Sequence, residues 1–121
     1  MHTNMRQQLM QQEHGCHGGE AFIHVFRAFA RKGSPVAVDF IDFVIVPPGA
    51  TIGRHRHGDN HEWYVIIGGQ CEMLFGGQRV PVMPWDVLVN PPHGEHALYN
   101  SGTEEVTLVV FQLSKDGGDE H

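Results

Sequence analysis

The apolar residues of this chain fall in short runs broken by turn formers, and no stretch sustains an apolar period of 3.6. AFIHVFRAFA (21–30) and VAVDFIDFVIV (36–46) are aromatic and β-branched runs that predict two long strands. Shorter runs follow: WYVII, CEMLF, QRVPV, DVLV, HALY and VTLVVFQL. Turn formers separate them, in PPGA, GDN, GGQ, GG, MP, NPPHG and NSG. Eight or so short strands at regular spacing, without an internal repeat, predict an all-β sandwich or barrel.

One pairing can be read residue by residue. CEMLF-GG-QRVPV has Gly76-Gly77 as a two-residue hairpin turn. Phe75 then faces Gln78, Met73 faces Val80 and Cys71 faces Val82. One face reads Cys71, Met73, Phe75, Val80 and Val82, and the other carries Glu72, Leu74 and Arg79. Apolar within and mixed polar without is the pattern of a half-buried antiparallel pair.

The ends read differently. MHTNMRQQLMQQEHG is polar and Gln-rich, with one or two helical turns expected near its start. The division expected is a flexible N-terminal segment 1–19, short and irregular or partly helical, one barrel 20–113, and a disordered tail 114–121. At 121 residues and 40% hydrophobic, the chain can build one small core. Its formal charge is −6 with only eight Lys and Arg and no basic cluster, which argues against a nucleic-acid partner. No apolar run is long enough to span a bilayer or to act as a signal peptide, so no membrane partner and a cytoplasmic location are expected. Two cysteines, Cys16 and Cys71, make no disulfide framework.

Candidate chemistry lies in HRHGDNHEW (55–63) and PPHGEH (91–96). On a strand, His55 and His57 share a face, while Arg54 and Arg56 point away. After the Gly58-Asp59-Asn60 turn, Glu62, Tyr64 and Ile66 share one face and His61, Trp63 and Val65 the other. Tyr64 and Ile66 suit an interior, whereas an unpaired Glu62 there is very costly. A divalent cation between Glu62 and the two imidazoles removes that cost. His96, at the start of another short strand, is the best candidate for a fourth ligand. A bulge in the GDN turn would instead bring His61 inward in place of Glu62. His-x-His alone is a weak signal; with an inward carboxylate and a later strand histidine it is far more specific.

These residues resemble the cupin superfamily. Its first motif is matched by Gly49, His55-x-His57, Glu62 and Gly69 at the family's spacing. Its second is matched by Pro91, His96 and Asn100, but Trp85 and His93 stand where the motif has glycines. The resemblance covers about residues 36–112. It implies a double-sheet jelly-roll barrel holding one divalent metal by His55, His57, Glu62 and His96, in proteins that are often dimers. It implies no single reaction, since cupins include dioxygenases, isomerases, epimerases, cyclases, lyases, decarboxylases, storage proteins and sensor domains.

Three imidazoles and a carboxylate suit Fe, Mn, Ni, Co or Zn with a position open to substrate, water or O₂. Ile66, Met73, Phe75 and Val80 are expected to line a mostly apolar pocket. With Arg54, Arg56 and Arg79 outward, a phosphorylated sugar fits poorly. A small acid, carbonyl or enediol that chelates the metal fits better. Glu62 and Tyr64 are the candidate catalytic groups, although a buried tyrosine is more often structural. The expectation is a metalloenzyme for oxygenation, isomerisation, cyclisation or elimination. The rival is a cupin that binds a small ligand or metal for sensing or storage. The apolar AFIHVFRAFA segment predicts a homodimer that pairs with it or covers it. His93 is expected at an exposed turn, Asp86 tying a turn, His24 packing in its strand, and Cys71 as a small core residue. Cys16, with His14 and His17, is expected in the mobile head.

Overall fold

The computed structural model describes residues 11–30, 38–56 and 58–114. They form ten strands: β1 (Gln11–His14), β2 (Phe22–Ala30), β3 (Val38–Val46), β4 (Thr51–Arg56), β5 (Asn60–Gly68), β6 (Cys71–Phe75), β7 (Gln78–Val82), β8 (Val87–Asn90), β9 (Glu95–Tyr99) and β10 (Val106–Ser114). A single 3-10 turn, Cys16–Gly18, lies between β1 and β2. The helical turns expected near the start fall outside the described residues, as do His57 and residues 115–121.

The strands pair antiparallel in two sheets, ordered β1-β2-β3-β10-β5-β8 and β4-β9-β6-β7. This is the expected all-β, double-sheet barrel. Alternation does the folding work. Along β10, Val106, Leu108 and Val110 are buried and the residues between them are not. Along β5, Asn60, Glu62, Tyr64 and Ile66 are buried in the same way. Val46, Ile66, Met73, Leu98, Val106 and Leu108 meet between the sheets with no solvent exposure. Each such aliphatic side chain contributes roughly 1.5–3 kcal/mol by leaving water.

The β6–β7 hairpin has the register read from the sequence, Cys71 with Val82 through Phe75 with Gln78. Gly76 and Gly77 both take positive φ, 59° and 81°, as a two-residue turn requires. The two positions that depart from the family's glycines keep the backbone that glycine would adopt. Trp85 has φ 79° and His93 has φ 61°. A left-handed conformation costs a non-glycine residue roughly 1–2 kcal/mol. His93 offsets part of that cost. Its amide donates to the Gly58 carbonyl (3.0 Å), its carbonyl accepts from Arg56 Nη1 (2.7 Å), and its ring lies 2.7 Å from Asp59. The turn before His96 is thereby tied to the turn before Glu62. Asn100, beyond β9, is buried and donates through Nδ2 to the carbonyls of Val46 and Glu104.

Within the segment read from sequence as a flexible head, β1 pairs along β2, Gln11 with Val25 through His14 with Phe22. Among the described residues the edges of the larger sheet are therefore β1 and β8, and β2 is an interior strand. No helix among the described residues is long and apolar enough to cross a membrane.

Candidate metal centre

β4 and β9 are neighbours in the smaller sheet, and their register sets His55 directly opposite His96. The two rings meet edge to face with centroids 4.2 Å apart. Glu62 comes from β5 in the other sheet, and its Oε1 lies 3.0 Å from His96 Nε2. One donor atom from each of His55, Glu62 and His96 lies within 4.8 Å of the others. Donors sharing one ion at bond lengths of about 2.0–2.2 Å stand no further apart than twice that length, so small side-chain adjustments suffice. His96 and Glu62 are 1% and 7% exposed. A carboxylate so buried is stabilised by cationic or hydrogen-bonding company. The donor set thus fits a divalent ion of nitrogen and oxygen preference.

Burial lowers the pKa of His55 to about 4, with the like neighbours His96 and His17 adding to the effect and a hydrogen bond to Gly53 opposing it. The ring is neutral near pH 7. Its Nδ1 lies 2.9 Å from the Gly53 carbonyl, so the proton sits there and Nε2 keeps its lone pair for a ligand bond. Tyr64, edge-on to His96 with centroids 5.5 Å apart, is pushed well above the usual tyrosine range by burial and by Glu62. It stays a phenol, suited to donating a hydrogen bond rather than to taking a proton. His61 points outward, exposed and stacked on Trp63, so the inward position is the carboxylate's.

A cavity of about 290 Å³ opens beside these donors. Its walls differ from the expected ones. Ile66 and Met73 face inward but are sealed in the core, and Phe75 and Val80 are only partly buried on the hairpin; none of the four lines this cavity. Alternation tells which face a side chain takes, not how deep in the barrel it sits. The lining comes instead from β2, β3 and β10, with Val25, Phe40, Val44 and Val110 among its apolar members. Arg54, Arg56 and Arg79 do point outward, near Glu95 and Glu72. Arg27 on β2 nonetheless brings a guanidinium to the cavity, beside Asp42. The signal for it was present, because Ile23, Val25 and Arg27 share one face of their strand.

The rest of the wall is the segment before β2. Cys16 and His17 line the cavity, and the His17 ring stacks on His55 at 3.7 Å and 12°. Two glycines allow this approach. A Cβ on Gly53 would strike the His17 carbonyl, and one on Gly19 would strike the Thr51 carbonyl. Thr51 N donates to the Glu20 carbonyl (3.1 Å), and Glu20 N donates to Thr51 Oγ1 (2.6 Å). Burial pushes the Cys16 thiol up to about 12, so it is no nucleophile near neutral pH. The spacing Gly15-Cys16-His17-Gly18-Gly19 carries no periodicity, which is why strand alternation did not find it. Of the remaining candidates, Asp86 ties its turn by accepting from Met83 N (2.9 Å), Cys71 is in the core, and His24 packs edge-on to Phe22. His93 is exposed at the turn.

Residues 42–112 match the family model for the cupin domain. A protein of Thermotoga maritima described as an oxalate-binding protein is 30% identical over 65 residues, 54% of each chain, so the match spans about half of that relative's length. Among solved structures, a Thermotoga maritima protein described as a predicted oxalate decarboxylase superposes with TM-score 0.91 at 18% identity, over 95% of this chain and all of that one. A conserved-barrel cupin of Salinispora arenicola gives 0.74 at 19% identity, over 97% and 90%. These likenesses bear on the fold, and the matched residues span the donors His55, Glu62 and His96. The chain belongs to the cupin family.

Proposed function

We propose that this cupin binds one divalent metal through His55, His57, Glu62 and His96, and that the metal takes up a small organic acid as a chelate for reaction. The observation that carries the reading is the cluster of two imidazoles and a buried carboxylate beside a cavity of about 290 Å³. A bound metal supplies Lewis acidity, and with Fe or Mn also redox chemistry. The chain's own residues do the rest. Gly53 fixes the His55 tautomer, Tyr64 offers a phenolic donor, and Val44, Val110 and Phe40 keep one side of the ligand out of water. Glu62 serves as ligand and as the nearest carboxylate to a bound acid. The transformation is an oxygenation or a non-redox isomerisation, cyclisation or elimination.

A second reading, capture without turnover, draws on the Thermotoga relative that is described as binding oxalate. One experiment serves both. Protein purified without chelator is analysed for metal and titrated with oxalate by calorimetry. The proposal expects saturable binding that disappears on metal removal. Oxalate binding unaffected by a chelator, or no binding to the loaded protein, contradicts it. Consumption of a bound acid separates the enzyme from the binder.

The outer face of the larger sheet supports the homodimer. Trp63 and Phe111 stack there at 5.3 Å, beside partly buried Phe26 and Val109. Trp85, Val87 and Ile67 are 83%, 60% and 42% exposed at the adjoining edge. A contiguous apolar face of this kind is covered in solution by a partner, here a second copy. A sedimentation species of 13.5 kDa alone at micromolar concentration contradicts this.

A further inference from the structure

Arg27 is the only Lys or Arg among the described residues lining the cavity. It stands across the cavity from the donors. In register, Arg27 lies beside Asp42, Asp42 beside Val110 and Val110 beside Tyr64, on four adjacent strands. Three interstrand spacings place the Arg27 and Tyr64 backbones roughly 14 Å apart along the sheet. Glu62 is two residues from Tyr64 on the same face.

The guanidinium is held in a fixed plane. Nε donates to Asp42 Oδ1 at 2.7 Å and Nη2 to Oδ2 at 3.0 Å, fork against fork. The Phe40 ring lies beneath it, 4.1 Å from Cζ. Nη1 is engaged in none of these contacts. The Arg27 side chain is 52% exposed, while that of Asp42 is 11% exposed. Stability alone is a poor account of the pair, because an ion pair to a half-exposed arginine returns little for a carboxylate taken out of water. Such a pair does aim a planar donor, and a guanidinium edge recognises a carboxylate.

We infer that Arg27, positioned by Asp42, is the anchor for a second carboxylate, and that the ligand is a dicarboxylic acid whose 2-oxo or 2-hydroxy acid head chelates the metal. This rests on the metal-chelate reading above and adds the far end of the ligand. Oxalate carries its two carboxylates on one carbon–carbon bond, so a metal that chelates both leaves none for Arg27. An acid with two or three further carbons spans the cavity. Net charge does not make the contact, because Glu13 and Asp42 line the same rim. Directed hydrogen bonds from the guanidinium make it, and they select for a carboxylate at that distance.

The test uses the full chain loaded with Co(II), whose visible spectrum reports chelation independently of turnover. Calorimetry compares 2-oxoglutarate and oxaloacetate with pyruvate, which has the head alone. The expected preference for the diacids is roughly tenfold or more, the size of hydrogen bonds to a charged group. Arg27→Gln should abolish the preference while leaving cobalt content and oxalate affinity unchanged. Arg27→Lys, which keeps the charge without the fork, should retain only part of it, and it serves as the test if the glutamine variant fails to fold. Equal affinity for diacid and monoacid in the natural protein overturns the inference, as does a preference that survives Arg27→Gln. Failure of the natural protein to take up cobalt overturns the metal reading, and this inference with it. Cobalt uptake without diacid preference overturns this inference alone.

Discussion

The cavity has two kinds of wall. One is built from β4 and its partner β9 in the smaller sheet and from β5 in the larger, where Glu62 stands on strand alternation and His55 faces His96 beyond a register shift in the β4–β9 ladder. The other is the segment from Glu13 to Arg27, where a strand, a 3-10 turn and a run of glycines bring Cys16, His17 and Arg27 to the same space. The first wall supplies the candidate metal donors. The second supplies no identified donor, yet it stacks on His55 and carries the cavity's guanidinium. The contrast separates what alternation encodes from what close backbone approach encodes.

Substitutions on β5 break the comparison most sharply. Glu62→Ala should cost the protein its metal, since it removes the one charged donor. His61→Ala, on the outward face, should leave metal per chain nearly unchanged. Metal analysis of both variants under one protocol checks this. Loss from His61→Ala with retention by Glu62→Ala would reverse the faces of the strand.

How far each wall was legible follows from the same contrast. A period of two needs only residue types in order, so the β6–β7 register and the inward Glu62 could be read directly. The ring of His96 could be placed on a strand, but not opposite His55, because that depends on which strands become neighbours. The positive φ at Trp85 and His93 shows that the motif's backbone persists without its glycines. The N-terminal wall lay beyond reach for a different reason. Gly19 and Gly53 are 34 positions apart, and only their contact explains either. Arg27 was readable as inward by alternation, but a single cation in an aromatic strand carries no motif that marks it as part of a site.

The glycine contact gives the next largest effect. Gly53→Ala puts a methyl group into backbone atoms of His17, and forcing atoms into packed space costs roughly 1–3 kcal/mol. Thermal melts should show a lower Tm, with increased proteolysis confined to the region before β2. A melt unchanged from the natural protein would mean that the two segments do not touch.

A smaller effect comes from acid. The folded-state pKa of His55, about 4, lies below the ordinary 6.5. Between those values the unfolded chain binds more protons than the folded one. The contribution of His55 to stability is therefore present above pH 6.5 and is lost as pH falls through about 4. Metal-free protein should show this decline in Tm. His17→Ala, which uncovers the ring and removes a like neighbour, should make it shallower. An equally steep decline in the variant would detach the N-terminal wall from the site.

The central claim is that His55, His57, Glu62 and His96 form one metal site, and its most direct test is metal per chain in protein purified without chelator. The account predicts one divalent ion per chain, removed by chelator and by acid. Metal near zero after supply of Fe, Mn, Ni, Co and Zn in turn, in folded protein with all four residues intact, would contradict it.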